Sequence, residues 1–388
     1  MQKIIFFNYE YPPLGGGAAN ATEQLFKEYT KQKEFYFELI TSAISDKYEK
    51  INLSSNVVIH RIPIGKNKDN LNYQTKKELV NYTKEAYKFA NKIIQNSDIL
   101  LTHSFFAVPC GVLSLKFKRK YNIPYIVSLR GADVPGYSDR FTNVYRFFTW
   151  LIHKVWQNAE FVVTNSKGLT ELASKSLNSQ KFECIVNGID TNYYTPGVRD
   201  KNDRKEEFRI LCASRLSHRK GFIYAIDAMP EIIERYPNVK MIIAGGDGGV
   251  MNQLKGHAQA LGVKKYIDFI GHYTKTEAPN IYRDSDIFLM PSLNEGMSNN
   301  LLEALASGLP VLMTRTGGAE ELIKDGINGF LLNMKDYKDI RDKLLKFLDN
   351  PGLCDDMGKE SRKIAMSMTW SNVANEYLKL YRKIRDEK

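Results

Sequence analysis

Short runs of β-branched and aromatic residues alternate with longer amphipathic stretches along the whole of this 388-residue chain. In the first half the strand-like runs fall at 3–8, 35–41, 57–62, 98–103, 124–129, 160–164 and 182–186. In the second half they fall at 208–213, 239–244, 266–270, 286–290, 310–313 and 329–332. Helical periodicity fills the gaps, as at 18–32, 76–95 and 223–235. Repetition of this kind predicts parallel sheets covered on both faces by helices, and it predicts two of them. The break lies at "TPGVRDKNDRKEEF", 195–208, where Pro196 and Gly197 lead into a run of charged residues. Domains of ~100–200 residues are the norm, so the length also favours two. The tail, 370–388, has the pattern of one more amphipathic helix.

Composition narrows the class. Hydrophobic residues make up 43% and charged residues 26%, which suits an ordinary globular chain with ample core. No apolar run approaches the ~18 residues of a membrane-spanning helix. The N-terminal "MQKIIFFN" turns polar too soon for a signal peptide and reads as a first strand. The four cysteines (Cys110, Cys184, Cys212, Cys354) show neither metal-ligand nor redox spacing, which points to the reducing cytoplasm. Net charge is +11. Up to Asp190 there are 25 Lys and Arg against 17 Asp and Glu, and beyond it 30 against 27. A basic first half can face nucleic acid, anionic lipid or a phosphorylated substrate, or be no more than a lysine-rich solvated surface. No nucleic-acid motif accompanies the charge, so nucleic acid is not an expected partner.

In open parallel sheets ligands bind at the carboxyl ends of strands, so the loops there carry the functional reading. The loop "YEYPPLGGGAAN", 9–20, bares its backbone at Gly15, Gly16 and Gly17 before a helix. Bare amides at a helix start suit a phosphate, with a plain tight turn as the alternative. In "SRLSHRKGF", 214–222, Arg215 and Lys220 can clamp a diphosphate. In "AGGDGG", 244–249, Gly245 allows close approach of a nucleotide, or merely a turn. In "EGMSNNLLEA", 295–304, a helix is expected to start at Ser298 or Asn299 and to stop at Gly308. Backbone amides from Met297 through Ser298, Asn299 and Asn300 to Leu301 then face a diphosphate. Glu295 lies before the helix and Glu303 about one turn inside it. Carboxylates accept paired hydroxyl donors, so one glutamate can grip a ribose and the other a sugar beyond the phosphates.

The stretch "PSLNEGMSNNLLEALASGLPVLMTRTGGAEELI", 291–323, closely resembles the signature of glycosyltransferase family 4, including its Glu-x7-Glu motif at Glu295 and Glu303. "YPPLGGG", "LRGADVPG", "VVTNS", "IVNGIDTNYYTP", "SRLSHRKG", "FIGHY" and "TWSNVANEYLKLY" follow the family's order along nearly the whole chain. The resemblance implies the GT-B fold: α/β, two Rossmann-like domains facing across a cleft. An acceptor domain would span 1–195 and a nucleotide-sugar domain 205–369, with the 370–388 helix returning to the first. It further implies a retaining transfer without metal or other cofactor. Arg215 and Lys220 would stabilise the departing diphosphate, helped by Gly16, Gly17 and the amides after Gly296. Glu303 would hold the ribose, Glu295 the donor sugar, and backbone near Ile270, Gly271 and His272 the base. UDP is the expected nucleotide.

One position departs from the family. Arg130, in "VSLRGADVPG", stands where many relatives carry a histidine. Arginine cannot act as a general base, but it can bind phosphate or carboxylate on donor or acceptor. Asp133 would orient it or receive the acceptor hydroxyl. His103 is expected to point into the cleft, with a satisfied core histidine as the alternative. The aromatic stretch 141–156 has a core face of Phe141, Val144, Tyr145, Phe148, Leu151, Ile152 and Val155. Phe147 and Trp150 lie off that stripe and, with Arg146, Lys154 and the basic run 116–121, suit an anionic membrane. The expected partners are therefore a nucleotide sugar and a glycan acceptor, lipid-linked in the leading reading. The protein would work in the cytoplasm, drawn by its charge to the inner face of the plasma membrane. Transfer to a small soluble acceptor is the alternative, separated by salt-sensitive membrane association. A sugar-nucleotide epimerase shares the architecture, but the Glu-x7-Glu motif argues against it.

Overall fold

The computed structural model describes residues 1–66, 70–71, 74–137, 142–198, 204, 206–295 and 297–388, and for 142–147 the backbone alone. The chain divides into two compact units, Met1–Asn187 with Trp370–Lys388, and Gly188–Thr369.

The first unit is built on eight strands: β1 (Gln2–Phe7), β2 (Phe35–Ser42), β3 (Glu49–Ser54), β4 (Val57–Ile62), β5 (Ile99–Phe105), β6 (Tyr125–Ser128), β7 (Phe161–Thr164) and β8 (Glu183–Cys184). Their order is β3-β4-β2-β1-β5-β6-β7-β8, parallel except for the β3/β4 pair. Strand direction reverses its progress between β1 and β5, which makes the loops after these strands a ligand crevice by topology. Phe26, Tyr29, Phe37, Tyr377 and Tyr381 fill one face of the sheet, and Phe7, Tyr82, Ala86, Ala90 and Phe117 the other. The final helix, Trp370–Asp386, thus belongs to this core. It buries Val373, Tyr377, Leu378, Tyr381 and Ile384, and Arg382 and Arg385 both pair with Glu34.

The second unit has six parallel strands: β9 (Phe208–Ala213), β10 (Val239–Ala244), β11 (Ile267–Gly271), β12 (Ile287–Met290), β13 (Val311–Thr314) and β14 (Gly329–Leu332). Their order, β11-β10-β9-β12-β13-β14, places the switch between β9 and β12. Ile210, Cys212, Met241 and Ile243 pack against Phe222, Ile226 and Met229 of the helix Phe222–Arg235.

Two expectations need correction. The division falls at Asn187/Gly188 and not in the charged stretch 195–208, of which 199–203 and Lys205 lie outside the described residues. Residues 188–196 are tied to the second unit: Ile189 N donates to Met368 O (2.8 Å), Arg362 to Tyr194 O (2.8 Å) and Thr191 O (2.7 Å), and Arg283 to Thr195 Oγ1 (2.6 Å). In the helix Thr142–Gln157, Ile152 and Val155 are buried as the periodicity requires, but Phe148 is 43% exposed. Trp150, off the stripe, is 64% exposed, with Lys154 6.0 Å from its ring centre. Phe141 and the side chains of Val144, Tyr145, Arg146 and Phe147 lie outside the described residues.

Candidate functional site

In the second unit the loops after β9 and β12 meet because of one glycine. Gly221 has φ +65, and a Cβ there would lie 2.0 Å from Pro291 O. The bare Cα lets the two loops touch, and Leu293 N donates to Arg219 O at 2.8 Å. A single 3₁₀ turn, His218–Lys220, then delivers Lys220 to Glu295, and the two side chains form a buried ion pair. The Ser292 hydroxyl donates to the same carboxylate oxygen (3.4 Å). Burial holds the Lys220 pKa below the usual lysine range, and the Glu295 charge opposes that shift. The structure therefore joins two residues assigned separately from sequence. Arg215, on the same loop, is exposed.

Glu295 leads into the helix Asn299–Ala306, with Ser298 at its N-cap in extended geometry and no side-chain cap. Its first-turn amides are thus not claimed by Ser298. Gly296 lies outside the described residues. Met297, Ser298 and Leu301 are buried, and Asn299 is half-buried. Asn300 Nδ2 reaches the hydroxyls of Tyr273 (3.1 Å) and Tyr282 (3.2 Å). Glu303 sits among tyrosines: Tyr282 OH donates to its Oε2 at 2.8 Å, and Tyr194 also hydrogen-bonds it. Burial pushes the Glu303 carboxyl up to about 7, although both tyrosines pull it down. The sequence reading did not include this tyrosine cluster.

The remaining second-unit residues line the strand ends. Gly245, at φ +145, lies against β9, where a Cβ would meet Ser214 O at 1.9 Å. Its N–H donates to Gly271 O (2.7 Å). Gly271 has φ +73 with open space beside it, and Ile270 is 45% exposed. Asp247 caps its own helix, accepting from the amides of Gly249, Val250 and Met251. That carboxylate already covers the amides at the start of the helix that follows "AGGDGG".

In the first unit, Gly16 is the N-cap of the helix Gly17–Tyr29 and caps it with no side chain. Gly16 N donates a long hydrogen bond to Glu10 Oε2 (3.5 Å). Burial pushes the Glu10 carboxyl up to about 7. Glu10 was inside the quoted loop but not singled out; only the fold shows that it turns back over the glycines.

Asp133 does not face outward as a hydroxyl acceptor. It is buried, with Oδ1 accepting from Arg130 N (2.8 Å) and Oδ2 from Ala107 N (2.8 Å). Its role is to hold the loop that carries Arg130. The Arg130 guanidinium lies 3.5 Å from the Phe105 ring centre and donates to Asn187 Oδ1 (2.9 Å). His103 is a correction. It is fully buried between Tyr381 OH (2.7 Å from Nδ1) and Ser128 Oγ (2.8 Å from Nε2). Burial, aided by the Arg130 charge, pushes its pKa well below the usual range. It is a satisfied core histidine that clips the final helix to β5.

Comparison with known proteins agrees with this geometry. The family model described as Glycosyltransferase Family 4 matches residues 15–193, and that described as Glycosyl transferases group 1 matches 197–364. A glycosyltransferase of Methanocaldococcus jannaschii is 26% identical over 386 residues, covering 100% of this chain and 99% of its own. The UDP-Gal:alpha-D-GlcNAc-diphosphoundecaprenol alpha-1,3-galactosyltransferase of Escherichia coli is 29% identical, over 68% of this chain and 69% of its own. Sucrose-phosphate synthase from Thermosynechococcus elongatus superposes with a TM-score of 0.83 at 18% identity, covering 100% of both chains. Two parallel-sheet α/β domains, the Glu-x7-Glu loop at the second switch point and these matches together place the chain among the family 4, group 1 glycosyltransferases of GT-B type.

Proposed function

We propose that this enzyme is a retaining transferase that takes a hexose from a nucleotide-diphosphate sugar, UDP-linked in the first place, and adds it to a glycan carried on a lipid. The observation that carries the donor half is the Lys220–Glu295 pair beside an uncapped helix start at the β9/β12 switch point. As the bond from the sugar's anomeric carbon to the diphosphate breaks, negative charge builds on the leaving phosphate. Lys220 has three N–H donors and gives one region of its charge to Glu295, so the others are free for phosphate oxygens. Arg215 adds a second cation, and the amides from Met297 to Leu301 add neutral donors. Preorganised groups of this kind supply the largest catalytic term in many enzymes, with one donor worth ~2.7–4 kcal/mol. This chemistry calls on no metal. Glu295 holds the transferred sugar while orienting Lys220, Glu303 takes the ribose hydroxyls, and the backbone at Ile270 and Gly271 meets the base. The departing phosphate oxygen takes the proton of the acceptor hydroxyl, so no separate protein base is needed. The first unit holds the acceptor.

The Escherichia coli relative, named for a UDP-sugar donor and a diphosphoundecaprenol acceptor, supports both substrate classes. The exposed Trp150 beside Lys154 supports an acceptor presented at an anionic lipid surface. Among the described residues no helix is long and apolar enough to cross a membrane, so contact would be peripheral. Thermal unfolding with UDP, GDP, ADP and their sugar conjugates tests the donor. A nucleotide that binds the folded state adds ~2.7 kcal/mol at 100 times its Kd. The expected result is a shift with uridine nucleotides, and no shift with any nucleotide would sink the reading. Product anomeric configuration, read by NMR, should match that of the donor.

A further inference from the structure

Arg130 is a largely buried cation on which the Asp133 charge acts without ion-pair contact. Among the described residues no carboxylate forms an ion pair with it. Asp133, its nearest acidic neighbour in sequence, spends both oxygens on backbone amides. The guanidinium plane is fixed by Phe105 beneath it, by Asn187 at one edge and by a hydrogen bond with Tyr377, while its Nε is buried with no hydrogen-bond partner. Burial accordingly depresses its pKa. An unpaired buried charge costs folding energy, and a rigid guanidinium fork matches the planar spacing of two phosphate oxygens. The residue keeps part of its surface exposed, so a ligand can reach it. Neutral partners hold the guanidinium, and a phosphate would supply the opposite charge at contact distance that they lack.

We propose that Arg130, with Asn187 beside it, is the receptor for a phosphate group on the acceptor substrate. This rests on the proposed function, which gives the donor's diphosphate to Lys220 and Arg215 and the acceptor to the first unit, where Arg130 lies. The acceptor is then phosphorylated or diphosphate-linked. A soluble sugar phosphate and a lipid diphosphate share this chemistry.

The test uses the full chain, the Arg130→Met variant and the Asn187→Asp variant. Thermal midpoints are measured with glucose 1-phosphate and with farnesyl diphosphate in detergent, each with and without saturating UDP. Wild type is expected to shift with at least one of the two, in the presence of UDP as in its absence. A response to glucose 1-phosphate identifies a soluble source, and a response to farnesyl diphosphate alone identifies a lipid carrier. Arg130→Met should weaken that response by roughly tenfold or more in affinity, the loss expected for a charged hydrogen bond, and should keep the UDP shift. With no ligand its midpoint should equal or exceed that of wild type, which a purely structural arginine would not show. Asn187→Asp places a carboxylate beside the guanidinium; it should fold normally and block the phosphate response by internal pairing. A phosphate shift unchanged in both variants, or absent from wild type, overturns the proposal. Loss of the UDP shift in wild type counts against the donor reading alone, because the phosphate titration is also read without nucleotide.

Discussion

At the scale of single residues, the site holds carboxyl groups in unlike surroundings, and they should answer differently to pH and to substitution. Glu10 and Glu303 are both pushed by burial to about 7, from an ordinary value of 4.5. Between those values the folded chain keeps protons that the unfolded chain has released. Their contribution to stability is therefore full below about pH 4.5 and is lost as pH rises through about 7. Urea midpoints measured across that window should fall with rising pH, and the Glu10→Gln, Glu303→Gln double variant should flatten the fall. Glu303→Gln alone should weaken UDP binding about tenfold, since a charged hydrogen bond contributes ~1.5–3 kcal/mol; an unchanged Kd would remove Glu303 from the ribose site. Glu295 is held instead by Lys220. Lys220→Met should cost ~3–5 kcal/mol, because it strands a buried carboxylate. Adding Glu295→Gln should recover much of that stability but none of the turnover. Recovery of both would mean that the pair is structural.

The residue scale is also where reading from sequence reached its limit. Arg215, Lys220, Glu295 and Glu303 stand out in the sequence because they lie in ordered motifs just after strands. What the motif could not show is that Lys220 and Glu295 touch, since that depends on Gly221 letting one loop close on another. His103 was misread for the complementary reason. A strand residue near the carboxyl end of β5 looks exposed to ligand until Tyr381, far away in sequence, is found on top of it.

At the scale of elements, the strands were the most legible part. The runs at 208–213, 239–244 and 329–332 coincide with β9, β10 and β14, because buried parallel strands are apolar throughout and bounded by polar turns. Among the described residues the one strand missed, β3, is the antiparallel edge, "EKINLS", with no buried residue and with charges at Glu49 and Lys50. Edge strands are protected from aggregation by such polarity, which also hides them from a search for apolar runs. Gly221→Ala tests the element contact at the candidate site. The added Cβ meets Pro291 O, and the backbone there is left-handed. It should lower the stability of the second unit by at least ~1 kcal/mol and reduce turnover with it. Normal turnover would show that the loops do not need to meet.

At the scale of the molecule, two units of separate core imply two unfolding events. Calorimetry should resolve a transition that UDP raises, belonging to Gly188–Thr369, from one that UDP leaves in place when the acceptor is absent. Tyr381→Ala should move only the latter, by ~3–5 kcal/mol for an aromatic side chain lost from a core. Tyr381→Phe keeps the ring but leaves His103 and Tyr29 without the shared hydroxyl, and should cost ~1–3 kcal/mol. The doubled architecture was legible from the alternation of runs. The division at Asn187 was not, since a charged linker is conspicuous whereas side-chain hydrogen bonds from Arg362 and Arg283 leave no trace in composition.

The return of the last helix has a consequence for how the protein is made. A ribosome delivers the chain from its N-terminus, and domains generally fold as they emerge. Here the first unit emerges with an aromatic face it cannot close, because Tyr377 and Tyr381 are translated only after the whole of the second unit. The second unit, wholly contained between Gly188 and Thr369, is complete earlier. Order of synthesis and order of folding are thus opposed: the half made first is finished last. A message broken after the codon for Thr369 yields a product whose opening half still exposes the surface that the Trp370–Asp386 helix covers.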